Sequence, residues 1–178
     1  MKRQLYPTII GLLQEVKQKT LVLTCMDFLV EIAKVNNKRV SVITILGVDL
    51  ESCCADTLQD IANQIESQGI KQVIILEHHA CQVHKHLLTD FDKQARWFAL
   101  AEKLREKRLL LHGDGVSLMD SKKFALSHAR NQFNFLENYI QNYCRSKSIE
   151  IPRLRSMVAD TFLSYRELIK IEITSFKN

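Results

Sequence analysis

The chain has 178 residues, 46% of them hydrophobic and 25% charged, which fits one domain with a sizeable core and excludes disorder as the main state. Its 5 glycines and 2 prolines argue against a loop-rich or all-β fold, and no apolar run reaches the roughly 18 residues a membrane helix needs. The formal net charge of +5 sits in the second part: of 25 Lys/Arg and 20 Asp/Glu, residues 1–100 hold 11 of each, leaving 14 and 9 for residues 101–178.

The opening MKRQLYPTIIGLLQEV has a basic pair but only a short apolar stretch, and Gln14, Glu15 and Lys17 follow without a small-residue cleavage site. It reads as a first helix over residues 8–18 and not as a signal peptide, so the expected location is the cytoplasm, without a membrane partner. Thr20–Cys25 (TLVLTC) is a continuous β-prone run of the kind that forms a buried parallel strand. Phe28–Asn36 reads as a short helix or a turn. Arg39–Leu46 (RVSVITIL) is a second strand, stopped at Gly47. Asp49–Gly69 places Leu58, Ile61, Ala62 and Ile65 at helical spacing, with Gly69 where a C-terminal cap is expected. Lys71–His78 (KQVIILEH) is a third strand. Two long helical patterns follow, about Asp92–Lys107 and about Ser121–Lys147, the second with Phe124, Leu126, Phe133, Leu136, Ile140 and Tyr143 as its apolar stripe. Between them Arg108–Gly113 is a short strand or an extended connection. Ile151–Asp160 reads as a fourth strand and Leu168–Thr174 as a fifth, at an edge. Strands alternating with helices predict a three-layer α/β fold, a mostly parallel sheet flanked by helices. With no repeat and no linker, residues 1–178 read as a single domain.

In open α/β sheets ligands bind beyond the carboxyl ends of the strands. Cys25 and Asp27 lie at the end of the first predicted strand, His78 and Cys81 at the end of the third. Two thiolates, one imidazole and one carboxylate form a donor set suited to tetrahedral Zn²⁺. Zinc would stabilise both thiolates and remove the cost of burying the carboxylate as a bare charge. Each pair is a weak signal alone, because C-x-D and H-x-x-C are common; as a plain alternative, Cys25 is a buried core cysteine. The specificity lies in the combination: both pairs follow apolar strand runs, with a helix between them.

These residues resemble the motifs of the β-class carbonic anhydrases and their smaller relatives. The family's C-x-D-x-R after a buried strand reads here Cys25-Met26-Asp27-Phe28-Leu29, and its H-x-x-C-G reads His78-His79-Ala80-Cys81-Gln82. Between them stand VSVITILGVDLE and a helix-plus-strand segment, so the likeness covers roughly residues 20–86. The resemblance implies a β-carbonic-anhydrase-like domain, zinc held by Cys25, His78 and Cys81, and a fourth position taken by water or by Asp27. It implies carbon dioxide and bicarbonate as the small-molecule partners of active members, and a homodimer paired through helices. The Phe-rich stripe of residues 121–147 either serves that pairing or covers the sheet.

The departures bear on activity. In active members the aspartate is held off the metal by the arginine two residues later; here that position is Leu29, with no charge and no donor. Asp27 is then free to turn to the metal, and a closed Cys₂HisAsp set is the pattern of structural zinc. Ala80 and Gln82 replace an aspartate and a glycine common in the family, and Gly47 stands alone where relatives have an Ala/Gly-rich segment. Three readings remain: a zinc-binding carbonic-anhydrase-like protein with weak or no hydratase activity; a working carbonic anhydrase or a zinc hydrolase of a similar small substrate; and a metal-free structural or interaction module of the same fold.

Other features read more plainly. Five cysteines, an odd count, speak against a disulfide framework. Cys53 and Cys54 open a helix, where a thiol pKa can be lowered, with buried packing as the competing reading. Cys144 reads as packing or surface. His79, His84 and His86 are candidate proton shuttles for an active enzyme, or simply a solvated helix start. His112–Ser117 (HGDGVS) matches no phosphate loop and reads as a turn. The scattered basic residues Lys103, Arg105, Lys107, Arg108, Lys122 and Lys123 lack aromatic interleaving, so they read as solvated helix faces and not as a nucleic-acid surface.

Overall fold

The computed structural model describes residues 9–26, 32, 35–51, 53–78, 81 and 118–159, the side chains of residues 118–124 excepted. In chain order the described elements are α1 (Ile9–Gln14), β1 (Thr20–Thr24), β2 (Val40–Thr44), a 3₁₀ turn at Leu46–Val48, α2 (Ala55–Gln68), β3 (Gln72–His78), α3 (Leu118–Lys147) and β4 (Arg153–Ala159). The expected helix over 92–107, the segment 108–113, the fifth strand over 168–174 and the turn at 112–117 lie outside these residues. So do Asp27, Phe28, Leu29, His79, Ala80, Gln82, His84 and His86. Within the expected helix or turn at 28–36, Ile32 is helical and buried.

The four strands form one sheet in the order β2-β1-β3-β4, with every pairing parallel. The register sets Leu23 beside both Ile43 and Ile75, and Thr24 beside both Thr44 and Leu76. β1 and β3 are buried along their whole length, as continuous apolar runs in a covered parallel sheet must be. Alternation along the strands divides the core in two. Leu21, Leu23, Val73, Ile75 and Leu154 pack against α2 and α3, meeting Ile61, Ile65, Phe133, Leu136, Ile140 and Cys144. Val22, Ile74, Leu76 and Met157 pack on the other face against Leu13 of α1 and Ile32. The three-layer α/β expectation therefore holds.

Local chemistry accounts for the boundaries. α2 starts at Ala55 and not at Asp49, because Cys54 is extended and serves as the N-cap. It ends at Gly69, whose φ of 63° gives the left-handed turn that lets Ile70 N–H reach the Ile65 carbonyl at 3.1 Å. Asn37 donates from Nδ2 to the carbonyls of Leu13, Gln14 and Val16, satisfying acceptors that the end of α1 leaves open. The apolar stripe of α3 covers the sheet: Phe133, Leu136 and Ile140 are all at most 2% exposed. Cys144 continues it into the core at 0% exposure, which settles that thiol as packing.

Candidate metal centre

A parallel sheet puts all its carboxyl ends on one edge, and that edge is where the candidate ligands meet. Thr24 is level with Leu76, so Cys25 leaves β1 just as β3 runs its last two residues to His78. The end of β1 is pinned from both sides: Ile45 N–H donates to Thr24 O at 2.8 Å, and Thr24 Oγ1 donates to Leu76 O at 3.1 Å. Cys81 follows three residues after His78 and returns to the same point. The two sulfurs lie 3.6 Å apart, and the ligand atoms of Cys25, His78 and Cys81 all lie within 4.8 Å of one another. All three residues are buried, at 1%, 5% and 3% exposure. This is the one group of three or more potential metal ligands among the described residues.

The spacing suits a tetrahedral metal. Two Zn–S bonds of about 2.3 Å at a tetrahedral angle place their sulfurs about 3.8 Å apart. The observed 3.6 Å is close to that and too long for a disulfide, and both cysteines are free thiols. Two soft sulfur donors with one imidazole nitrogen match zinc chemistry better than that of the hard, oxygen-seeking cations. Val48 and Leu50 belong to the same buried apolar cluster as the two thiols.

No family model matches the chain, and no curated protein matches its sequence. Solved structures do match. Wild-type CafD, a β-carbonic anhydrase of the filamentous fungus Aspergillus fumigatus, superposes with a TM-score of 0.58 at 20% identity, over 92% of this chain and 96% of that one. A β-carbonic anhydrase of the filamentous ascomycete Sordaria macrospora, described as tetrameric, gives 0.66 at 14% identity, over 85% and 80% of the two chains. The Coccomyxa β-carbonic anhydrase in complex with acetazolamide gives 0.61 at 16%, over 85% and 72%. The chain has the β-carbonic-anhydrase fold. The resemblance read from the two motifs holds at the level of the fold and of the Cys25–His78–Cys81 cluster it predicted.

Against that fold, the remaining thiols separate cleanly. Cys53 is half-buried, donates to Leu50 O at 3.0 Å, and has its pKa pushed up to about 11, first by burial and then by the neighbouring Cys54 and Asp49. That is the opposite of an activated thiol. Cys54 is exposed, so the packing reading does not apply to it. Its Sγ sits 3.1 Å from Thr57 Oγ1, and hydrogen bonding from Thr57 holds its pKa below the usual thiol value.

Sequence reasoning missed a buried polar group beside the centre. Glu77, His128 and Gln132 are each at most 1% exposed. His128 Nε2 lies 3.1 Å from Gly47 O and 3.5 Å from Glu77 Oε1, and Gln132 connects His128 to the backbone of Leu50. One signal was present: His128 and Gln132 stand at i, i+4 where the apolar stripe of α3 lapses between Leu126 and Phe133. A polar pair at that spacing on a buried helix face implies partners across the fold.

Proposed function

We propose that the chain is a zinc-binding protein of the β-carbonic-anhydrase fold with weak or no carbon dioxide hydratase activity. The observation that carries this reading is the pair of buried sulfurs 3.6 Å apart with His78 in reach, on the carboxyl edge of a parallel sheet. Cys25, His78 and Cys81 are the residues that would hold the metal. Bound zinc supplies a Lewis acid able to lower the pKa of a water molecule.

The chain's own residues argue that this capacity is blunted. Leu29 stands where active relatives carry arginine, and leucine can neither pair with Asp27 nor donate to it. We take Asp27 as the fourth protein ligand, which closes the centre and makes it structural. Two thiolates and a carboxylate would also outweigh the charge of a divalent cation, weakening its pull on any further ligand. The same reading takes the chain as a cytoplasmic homodimer; the Sordaria structure, of the same fold, is described as tetrameric. Light scattering of the purified chain tests that part.

Two measurements decide the main reading. Protein purified without added zinc should carry about one equivalent per chain, and less than about a tenth would leave a metal-free module of the same fold. Stopped-flow hydration of carbon dioxide, at pH 7 and at pH 8.5, should show a rate far below that of an established enzyme. A comparable rate at either pH would instead make the chain a working carbonic anhydrase. Leu29→Arg should release Asp27 from the metal and raise the rate, although Ala80 and Gln82 limit the rescue.

A further inference from the structure

The turn that follows β2 is strained. Gly47 has φ 58° and ψ 13°, and Val48, a β-branched residue, has φ 52°. Such a conformation is disfavoured for valine and persists only where the surroundings over-determine it. Val48 is fully buried in the apolar cluster that also holds Cys25 and Cys81, and the turn contacts β1 and β3, the strands whose ends carry the candidate ligands.

The surroundings that fix it come from one face of α3. Leu50 N–H donates to Gln132 Oε1 at 2.8 Å. That contact sets the orientation of the Gln132 amide, so its Nε2–H₂ group is the one facing His128 Nδ1 at 3.3 Å. An amide nitrogen only donates, so Nδ1 must carry the lone pair and the proton must sit on Nε2. Nε2–H in turn points at Gly47 O, 3.1 Å away, which can only accept, and Glu77 Oε1, 3.5 Å from the same nitrogen, also favours a proton there. Each step determines the next, and the chain of bonds grips the turn at Gly47 and at Leu50, on either side of Val48.

We propose that His128 and Gln132 are positioning residues, which hold the Gly47–Leu50 turn in its strained form against the strands whose ends carry the Cys25–His78–Cys81 centre. Gln132 does this as a two-ended amide, and His128 as the neutral tautomer protonated on Nε2. The part that concerns the metal rests on the zinc reading above; the clamp itself does not.

The experiment has readouts for each part. In the wild-type protein, nitrogen-15 NMR at pH 7.5 should show His128 neutral with its proton on Nε2; a proton on Nδ1 overturns the proposal. Gln132→Met removes both ends of the amide at similar length. It should speed hydrogen exchange of the Leu50 amide at least about tenfold beyond any change in the β1 and β3 amides. An equal change everywhere means a purely structural role and overturns the proposal. Gln132→Glu retains the acceptor for Leu50 N–H and removes the donor to His128. It should preserve Leu50 protection and add a proton at His128 Nδ1, because the new carboxylate only accepts while Gly47 O still requires the proton on Nε2; a His128 still unprotonated at Nδ1 counts against the clamp. Cobalt-substituted protein should show an altered visible spectrum in Gln132→Met, and an identical spectrum overturns the link to the metal centre. If wild-type protein takes up no cobalt or zinc, the metal reading fails, while the tautomer and exchange results still decide the clamp.

Discussion

Cys25→Ser is the substitution that separates a metal centre from a pair of ordinary core thiols. It replaces a soft thiolate donor by a hydroxyl that stays protonated at neutral pH. Structural zinc sites with four protein ligands bind with about 10–16 kcal/mol at pH 7, so an even share for one ligand is about 2.5–4 kcal/mol. Losing that share weakens the zinc Kd by about 10²–10³-fold. The structure sets the side effects. Cys25 is 1% exposed within an apolar cluster, so the new hydroxyl destabilises the metal-free protein by about 1–3 kcal/mol whether or not zinc matters. The diagnostic is therefore the difference between zinc-loaded and chelated protein, taken within each variant. At free zinc of 100 times the wild-type Kd, wild type gains about 2.7 kcal/mol, or about 5–11 °C in Tm for a domain of this size. At the same free zinc Cys25→Ser gains less than about 0.4 kcal/mol. Thermal unfolding followed by circular dichroism, in zinc buffers and in excess chelator, reads both. A wild-type Tm that does not respond to chelation, or an equal zinc increment in the two proteins, would refute the assignment of Cys25 as a ligand.

Four further outcomes follow from the same geometry. Alkylation with iodoacetamide at pH 8 should label Cys54 first, because it is exposed and its pKa lies below the usual value, whereas Cys53, with a pKa of about 11, is only about one part in a thousand thiolate there; peptide mass spectrometry showing the reverse order would contradict both assignments. The raised pKa of Cys53 also has a stability sign: its contribution is complete below the usual thiol pKa near 9 and is lost as pH rises through about 11. Cys53→Ala should therefore flatten the decline in urea midpoint across that window. Ile74→Ala, at 0% exposure on the sheet face away from the thiols, should cost about 2–5 kcal/mol in urea unfolding and leave zinc stoichiometry unchanged. Gly69→Ala should cost only about 1 kcal/mol, since a β-carbon there meets no atom within 4 Å and the left-handed φ is the sole penalty.

Much of the fold and centre was legible in the sequence because the determining signals are short-range. Leu21–Leu23 and Val73–Leu76 are uninterrupted apolar runs that a buried parallel strand requires, and Gly69 ends a helix by its own backbone freedom. Once those strands are parallel, residues just past their ends converge, so Cys25, His78 and Cys81 could be paired across 56 positions without any structure. What escaped depends on contacts with no local trace. Val48 is a poor residue for a positive φ, and nothing near it in the chain announces one. Its conformation is held by Gln132 and His128, 82 and 81 positions beyond the groups they grip. The start of α2 was placed early because nothing in the pattern of residues 49–53 shows that Cys54 is extended, with φ −66° and ψ 153°, and so serves as the N-cap.

That division bears on how activity is encoded in this fold. Convergence of two thiols and an imidazole is a consequence of strand topology and short spacings, so it survives wherever the sheet and the three ligands survive. Whether the fourth position stays open depends instead on side chains beside the strand ends, of which Leu29 is the clearest departure here. An arginine at that position can pair with the carboxylate; leucine, shorter and without charge or donor, cannot. On the reading proposed above, one substitution separates a metal centre that is catalytic from one that is structural, and likeness of fold at 14–20% identity does not distinguish the two states.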